Sequence, residues 1–173
     1  FYELPLVVNN QPPLFQKLRP ISSHRKQIGD FASWNGLLVM SGVSTHETDD
    51  PHIYRSDDGN EALWFGGIDD LWKFGKPVGI GGPWKDTLVS AETPSDPYLM
   101  TGYDKKSVVI SANRPVTLRL EVNFDHQGYH TYKTFELNRQ NPVEFTFPAG
   151  FSAHWVRLVS DTNCIATATF TYE

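Results

Sequence analysis

The sequence predicts an all-β protein whose C-terminal part is an antiparallel β-sandwich. Three observations carry that prediction. Residues 116–124 alternate apolar Val, Leu, Leu, Val and Phe with Thr, Arg, Glu and Asn, and residues 143–147 repeat the alternation. A period of two marks a strand with one face buried. Turn residues interrupt the C-terminal part about every 8 to 12 positions, the spacing of short sandwich strands. Nowhere does an apolar stripe recur at the helical period.

The C-terminal elements follow in order. Ser107–Ile110 is a strand, and Pro115 opens the next, over 116–124. One face of it should bury Val116, Leu118, Leu120, Val122 and Phe124. Asp125–Gly128 turns the chain into Tyr129–Leu137, and Asn138–Asn141 turns it again before 143–147. Pro148-Ala149-Gly150 leads to Ala153–Val159, and Asp161-Thr162-Asn163 precedes the last strand, Ile165–Tyr172. That makes six strands from residue 104 to 173, the predicted sandwich domain.

Residues 1–103 read differently. Residues 29–103 hold 11 of the 13 glycines and four of the five tryptophans. Phe31–Gly42 reads as two strands around an Asn35-Gly36 turn. His52–Ser56 is a strand closed by Asp57-Asp58-Gly59-Asn60, and Ala62–Ile68 follows. Asp69–Phe74 reads as a strand or turn rather than one helical turn, because Gly75 and Pro77 come at once. From Gly75 to Pro97 the density of Gly and Pro predicts irregular chain. Residues 1–27, rich in Pro, Asn, Gln and Ser, read as extended linker or edge strand.

Composition bounds the function. The chain has 173 residues and a formal net charge of -5, which argues against a nucleic-acid binder needing a basic patch. No apolar run approaches the roughly 20 residues of a membrane-spanning helix. The aromatics number 23 (5 Trp, 7 Tyr, 11 Phe), too many for a disordered chain. The lone Cys164 sits in an alternating stretch and reads as a small buried side chain, not a nucleophile. The chain starts Phe1-Tyr2-Glu3, without an initiator Met, which leads us to expect a piece of a longer polypeptide.

Few motifs carry chemistry. His46, Asp49, Asp50 and His52 lie within seven residues, but match no metal-ligand spacing. The Asp57-Asp58-Gly59-Asn60 turn offers oxygens without the spacing of a calcium loop. We therefore expect no metal and no cofactor. Lys76 and Lys85 frame Gly79-Ile80-Gly81-Gly82, yet no Gly-Lys-Ser/Thr ending makes it a phosphate loop. His154-Trp155 reads as strand packing, and no serine lies in a Gly-x-Ser-x-Gly elbow. No catalytic residue is assigned.

Ser56-Asp57-Asp58-Gly59 ahead of Leu63-Trp64 resembles the Asp-box of sialidase-like β-propellers, where a Ser-x-Asp-x-Gly turn precedes Thr-Trp. Here the Thr is missing and the spacing differs. Such a turn is a hairpin tip whose carboxylate accepts backbone N–H groups while the Trp packs beneath. It is structural, so the resemblance implies a blade hairpin and no active site. The stretch from Leu63 to Asp104, LWFGGIDDLWKFGKPVGIGGPWKDTLVSAETPSDPYLMTGYD, and the ending GFSAHWVRLVSDTNCIATATFTYE resemble the C-terminal region of large exported bacterial proteins. In these, a propeller-like body leads to a closing β-sandwich. The resemblance implies that residues 1–103 form the end of a propeller, and that the protein works in the periplasm or at the cell surface.

The most site-like constellation is Trp64, Asp69, Asp70, Trp72 and Trp84, with Tyr98 and Tyr103 as further candidates. Aromatic rings stack on apolar sugar faces while carboxylates take hydroxyl hydrogen bonds. Glycines at 66, 67, 75, 79, 81 and 82 would let large rings stand out from a loop-built surface. The competing reading is a Trp core with the Asp side chains capping the next turn. The function this suggests is a non-catalytic, saccharide-binding portion of an exported glycan-handling protein. Two alternatives stand beside it: one wall of a glycoside hydrolase or polysaccharide lyase site, and a structural module that joins its parent polypeptide or a second copy.

Overall fold

The computed structural model describes residues 1–4, 17–23, 27–44, 49–139 and 141–173. The protein is all-β, as the sequence predicts: the described residues form fourteen strands and one 3-10 helix. They divide into two compact units. The first comprises Phe1 and residues 21–76, the second residues 2–20 and 77–173.

The strands, in chain order, begin with β1 (Tyr2–Glu3) and β2 (Arg19–Pro20), a short antiparallel pair in the second unit. The first unit holds β3 (Phe31–Trp34), β4 (Leu37–Met40), β5 (Ile53–Arg55) and β6 (Ala62–Gly66). They form one antiparallel sheet of order β3-β4-β6-β5. Asn35 (φ 47°) and Gly36 (φ 80°) are both left-handed, the backbone that a two-residue hairpin between twisted strands requires.

Asp69–Phe74 departs from the prediction. It lies in a 3-10 helix, Ile68–Phe74, whose N-cap is Gly67. Asp70 reaches back so that its Oδ2 accepts the Gly67 amide at 2.8 Å. This helix start holds because the carboxylate satisfies an otherwise orphaned N–H. Leu71 is the one buried side chain of the helix. It joins Met40, Val43, Ile53, Ala62 and Trp64 in the core of this unit.

The second unit holds β7 (Gly79–Val89), β8 (Tyr98–Leu99), β9 (Lys106–Ala112), β10 (Val116–Asn123), β11 (His130–Leu137), β12 (Val143–Thr146), β13 (Trp155–Ser160) and β14 (Cys164–Tyr172). Two antiparallel sheets result, β12-β9-β14-β7 and β11-β10-β13-β8. Six of these strands match the predicted ones to within about two residues. The other two, β7 and β8, lie upstream of residue 104.

The irregular chain expected between Gly75 and Pro97 is instead dominated by β7, an 11-residue strand. Glycine and proline are tolerated there because β7 lies at the edge of its sheet, with β14 as its one partner among the described residues. Its pairing breaks register twice, near Ala166–Ala168 and Ala168–Phe170, and these bulges absorb the poor strand formers.

The pairing pattern of these eight strands is concentric. The first pairs with the last, the second with the seventh, the third with the sixth and the fourth with the fifth. A long hairpin rolled into two facing sheets gives this order, that of a jelly roll. Between the sheets lies the larger core, including Val108, Ile110, Leu118, Leu120, Leu158 and Phe170.

Val116, Leu118, Leu120 and Val122 face this core as predicted, whereas Phe124 is 46% exposed. β10 ends at Asn123, so Phe124 lies beyond the ladder and rests against Phe151 instead. Cys164 is buried, in line with its reading as a small core side chain.

Candidate functional site

The predicted constellation is divided between the two units. Trp64, Asp69, Asp70 and Trp72 belong to the first unit, while Trp84, Tyr98 and Tyr103 belong to the second.

Trp64 is 1% exposed and is the largest side chain of the first core. It stands in β6, not in a loop. Its ring lies against His52 and Phe74 and fills the space over Gly66, where an added Cβ would meet the indole at 2.1 Å. Trp84 is 6% exposed and belongs to the sandwich core. Tyr103 is also buried, stacked on Tyr172 at 4.5 Å, and burial raises the pKa of its phenol. Tyr98 is half-buried and stacks on Phe170. In strands, large rings alternate into the core, so Trp64 and Trp84 pack inward rather than standing out from the surface.

Trp72 and Asp69 are exposed. Asp70 is engaged: beside the Gly67 bond, its Oδ1 takes the Lys73 ammonium at 2.7 Å and lies 3.7 Å from His52 Nε2. The Lys73 hydrogen bond and the Gly67 amide hold its carboxyl below the usual range. Two adjacent acids are expected to raise each other's pKa; for Asp70 the cation and the amide prevail.

The Ser56–Glu61 tip between β5 and β6 is built as a hydrogen-bonded turn. Asp58 Oδ1 accepts the Ser56 hydroxyl at 2.5 Å and the Asn60 amide at 3.1 Å. Its carboxyl is held low, chiefly by the Ser56 hydroxyl. These oxygens are occupied by the turn itself. In the His46–His52 stretch, His46 lies outside the described residues. Asp50 accepts the His52 amide at 2.9 Å, and His52 Nδ1 lies 2.8 Å from the Phe65 carbonyl oxygen.

A different group of side chains forms a concave aromatic surface. Successive side chains of a strand alternate between its two faces. Met40, Ile53 and Trp64 take the inner face of the first unit's sheet. Trp34, Leu37, Tyr54 and Phe65 line a hollow of about 290 Å³. The Trp34 ring stands edge-on to Phe65 at 6.1 Å, and the Tyr54 ring does so at 5.3 Å. Phe65 thus props two walls that are 59% and 63% exposed. The rings come from three strands of a paired sheet, so the hollow is preformed.

Sequence reading passed over these residues, although a signal was present. Leu37-Leu38-Val39-Met40 is four apolar residues in a row within a four-residue strand, and Leu63-Trp64-Phe65 follows suit. A strand with no alternation has both faces apolar. If only one of them meets the core, the other is an exposed apolar face.

No protein-family model matches the chain, and no curated protein matches it. Among solved structures it is similar to the dTDP-4-dehydrorhamnose 3,5-epimerase from Sulfolobus tokodaii, at 12% identity and a TM-score of 0.29. The match covers 83% of this chain and 73% of that one. A score this low bears on neither fold nor function. Among the described residues no helix is long and apolar enough to cross a membrane.

Proposed function

We propose that this chain is a non-catalytic, carbohydrate-binding portion of a larger exported bacterial protein that handles glycans, and that the Trp34–Tyr54–Phe65 hollow is where the sugar sits. The observation that carries the proposal is the pair of exposed rings held edge-on by Phe65. A pyranose has an apolar face of C–H groups, which a fixed aromatic ring removes from water without strong directional demands. The volume of about 290 Å³ sits at the lower end for small-molecule sites. Glycoside hydrolysis needs two carboxyl groups across the scissile bond. Among the described residues the hollow is lined by Trp34, Leu37, Tyr54 and Phe65, none of which carries a carboxyl group, which favours binding over catalysis.

A specific observation also favours an assembly role. Leu63 is exposed as well, so apolar side chains continue beyond the hollow, as on a sheet that packs against a second sheet.

Affinity electrophoresis of the chain through gels containing a panel of polysaccharides separates the readings. Binding is expected for at least one saccharide, and Trp34→Ala and Tyr54→Ala should each weaken it about tenfold, about 1.4 kcal/mol. Release of reducing sugar would support the hydrolase or lyase alternative instead. No binding at millimolar saccharide, together with self-association that Trp34→Ala abolishes, would support assembly.

A further inference from the structure

The second unit carries another hollow surface, on the outer face of β12-β9-β14-β7. Two depressions of about 350 and 480 Å³ adjoin there and share Asp86, Ser111 and Thr167. They form because the two central strands present small side chains outward. Ser111 on β9 stands opposite Thr167 on β14, and Val109 opposite Thr169. At one end the surface is bounded by Asn138, Arg139, Asn141 and Pro142, at the other by Lys85 and Asp86 of β7. With strands about 4.8 Å apart, a trough crossing this sheet is about 14 Å long.

Its far wall is unusual. Asp86 is a non-glycine residue with φ 50°, placed where the β7–β14 register slips opposite Thr167. The Asp86 amide donates to Thr167 Oγ1 at 2.9 Å, and the Thr167 hydroxyl lies 3.2 Å from Asp86 Oδ1. A bulge that costs left-handed backbone re-aims one side chain onto the face of the sheet. Of the charged residues lining the trough, Lys85 and Arg139 are positive and Asp86 is negative. The side chains lining the trough therefore sum to a positive charge on a chain of net charge -5, while Glu144 of β12, opposite Val109 on the same face, lies beyond that lining. Neither cation has a salt bridge among the described residues.

We infer that this trough binds an extended acidic saccharide, a chain of uronate sugars. Arg139 and Lys85 take carboxylates near its two ends. Asp86, Ser111 and Thr167 exchange hydrogen bonds with the ring hydroxyls between them. The guanidinium suits a carboxylate because its planar N–H pair matches both oxygens. Single-stranded nucleic acid, the other linear polyanion, is disfavoured, because among the described residues Trp84 is the one aromatic ring lining the trough and it is buried. The trough shares no lining residue with the aromatic hollow.

The test is isothermal titration of the intact chain with oligogalacturonate, with its methyl-esterified form and with a single-stranded oligonucleotide. Oligogalacturonate should bind, with an affinity that falls as salt rises. Esterification and Arg139→Gln should each weaken binding at least fivefold, and Lys85→Gln should do so by a similar factor. Thr167→Val tests the central contact, with a thermal melt to confirm that the bulge survives. Lys105→Gln, at an exposed cation outside the trough, should leave this binding unchanged, which separates the trough from general attraction to surface charge. No heat at millimolar oligogalacturonate overturns the inference. So does equal binding of the ester, equal binding by Arg139→Gln, or preference for the oligonucleotide.

Discussion

Trp64→Ala should unfold the first unit while leaving the sandwich folded. The indole is 1% exposed and packs with Met40, Val43, Ile53, Ala62 and Leu71, so its removal takes out the centre of a six-residue core. Truncating a buried Trp costs about 3 to 5 kcal/mol. One offset is present: Trp64 Nε1 is buried without a hydrogen-bond partner among the described residues, and deleting it removes a desolvation cost of about 1 kcal/mol or more. A net loss of about 2 to 4 kcal/mol remains. A domain's whole stability is about 5 to 15 kcal/mol, with small units at the low end. Limited proteolysis at 25 °C, read by mass spectrometry, should show early cleavage within residues 27–76 and an intact 77–173 fragment. Trp72→Ala, truncating an exposed ring, should change stability by no more than about 0.5 kcal/mol. Equal protease resistance of Trp64→Ala and the parent chain would refute the assignment of Trp64 to the core.

Three further outcomes are expected. Gly82→Ala would place a Cβ 1.9 Å from the Ala168 carbonyl oxygen, so β7 must move off β14; the loss should exceed about 2 kcal/mol in a chemical melt. Burial, then His126 and Lys17, hold His154 below its ordinary 6.5. On acidification the unfolded chain takes up that proton first, so this contribution is complete above about pH 6.5 and declines as pH falls below it. Urea midpoints at pH 7.5 and pH 5.5 should show the drop, and His154→Gln should shrink it. Asp58→Ala removes the acceptor of the Ser56 hydroxyl and the Asn60 amide, and should speed hydrogen exchange at the 56–61 tip without changing the sandwich.

Much of the sandwich was legible because its strands obey one rule. From Val116 to Val122 the apolar residues alternate, and each faces a single core. β7 was not legible: Gly79, Gly81, Gly82 and Pro83 signal irregular chain locally, and only the long β14 ladder beside them makes a strand. The 3-10 helix was missed because Asp70, three residues past Gly67, caps it from inside, while Gly75 and Pro77 suggested a break. The candidate site divided along the same line. Clustering in sequence drew Trp64 and Trp84 together, but alternation along strands decides which ring faces water. The rings of the exposed hollow come from positions 34, 54 and 65, too far apart in sequence to read as a motif.

The most direct measurement is tryptophan fluorescence of the intact chain during titration with a saccharide that it retards on. Bound sugar should shift the emission, and Trp34→Ala should abolish the shift while Trp72→Ala keeps it. If Trp72→Ala abolishes the shift and Trp34→Ala keeps it, the sugar sits at the 3-10 helix and the aromatic hollow is not the site.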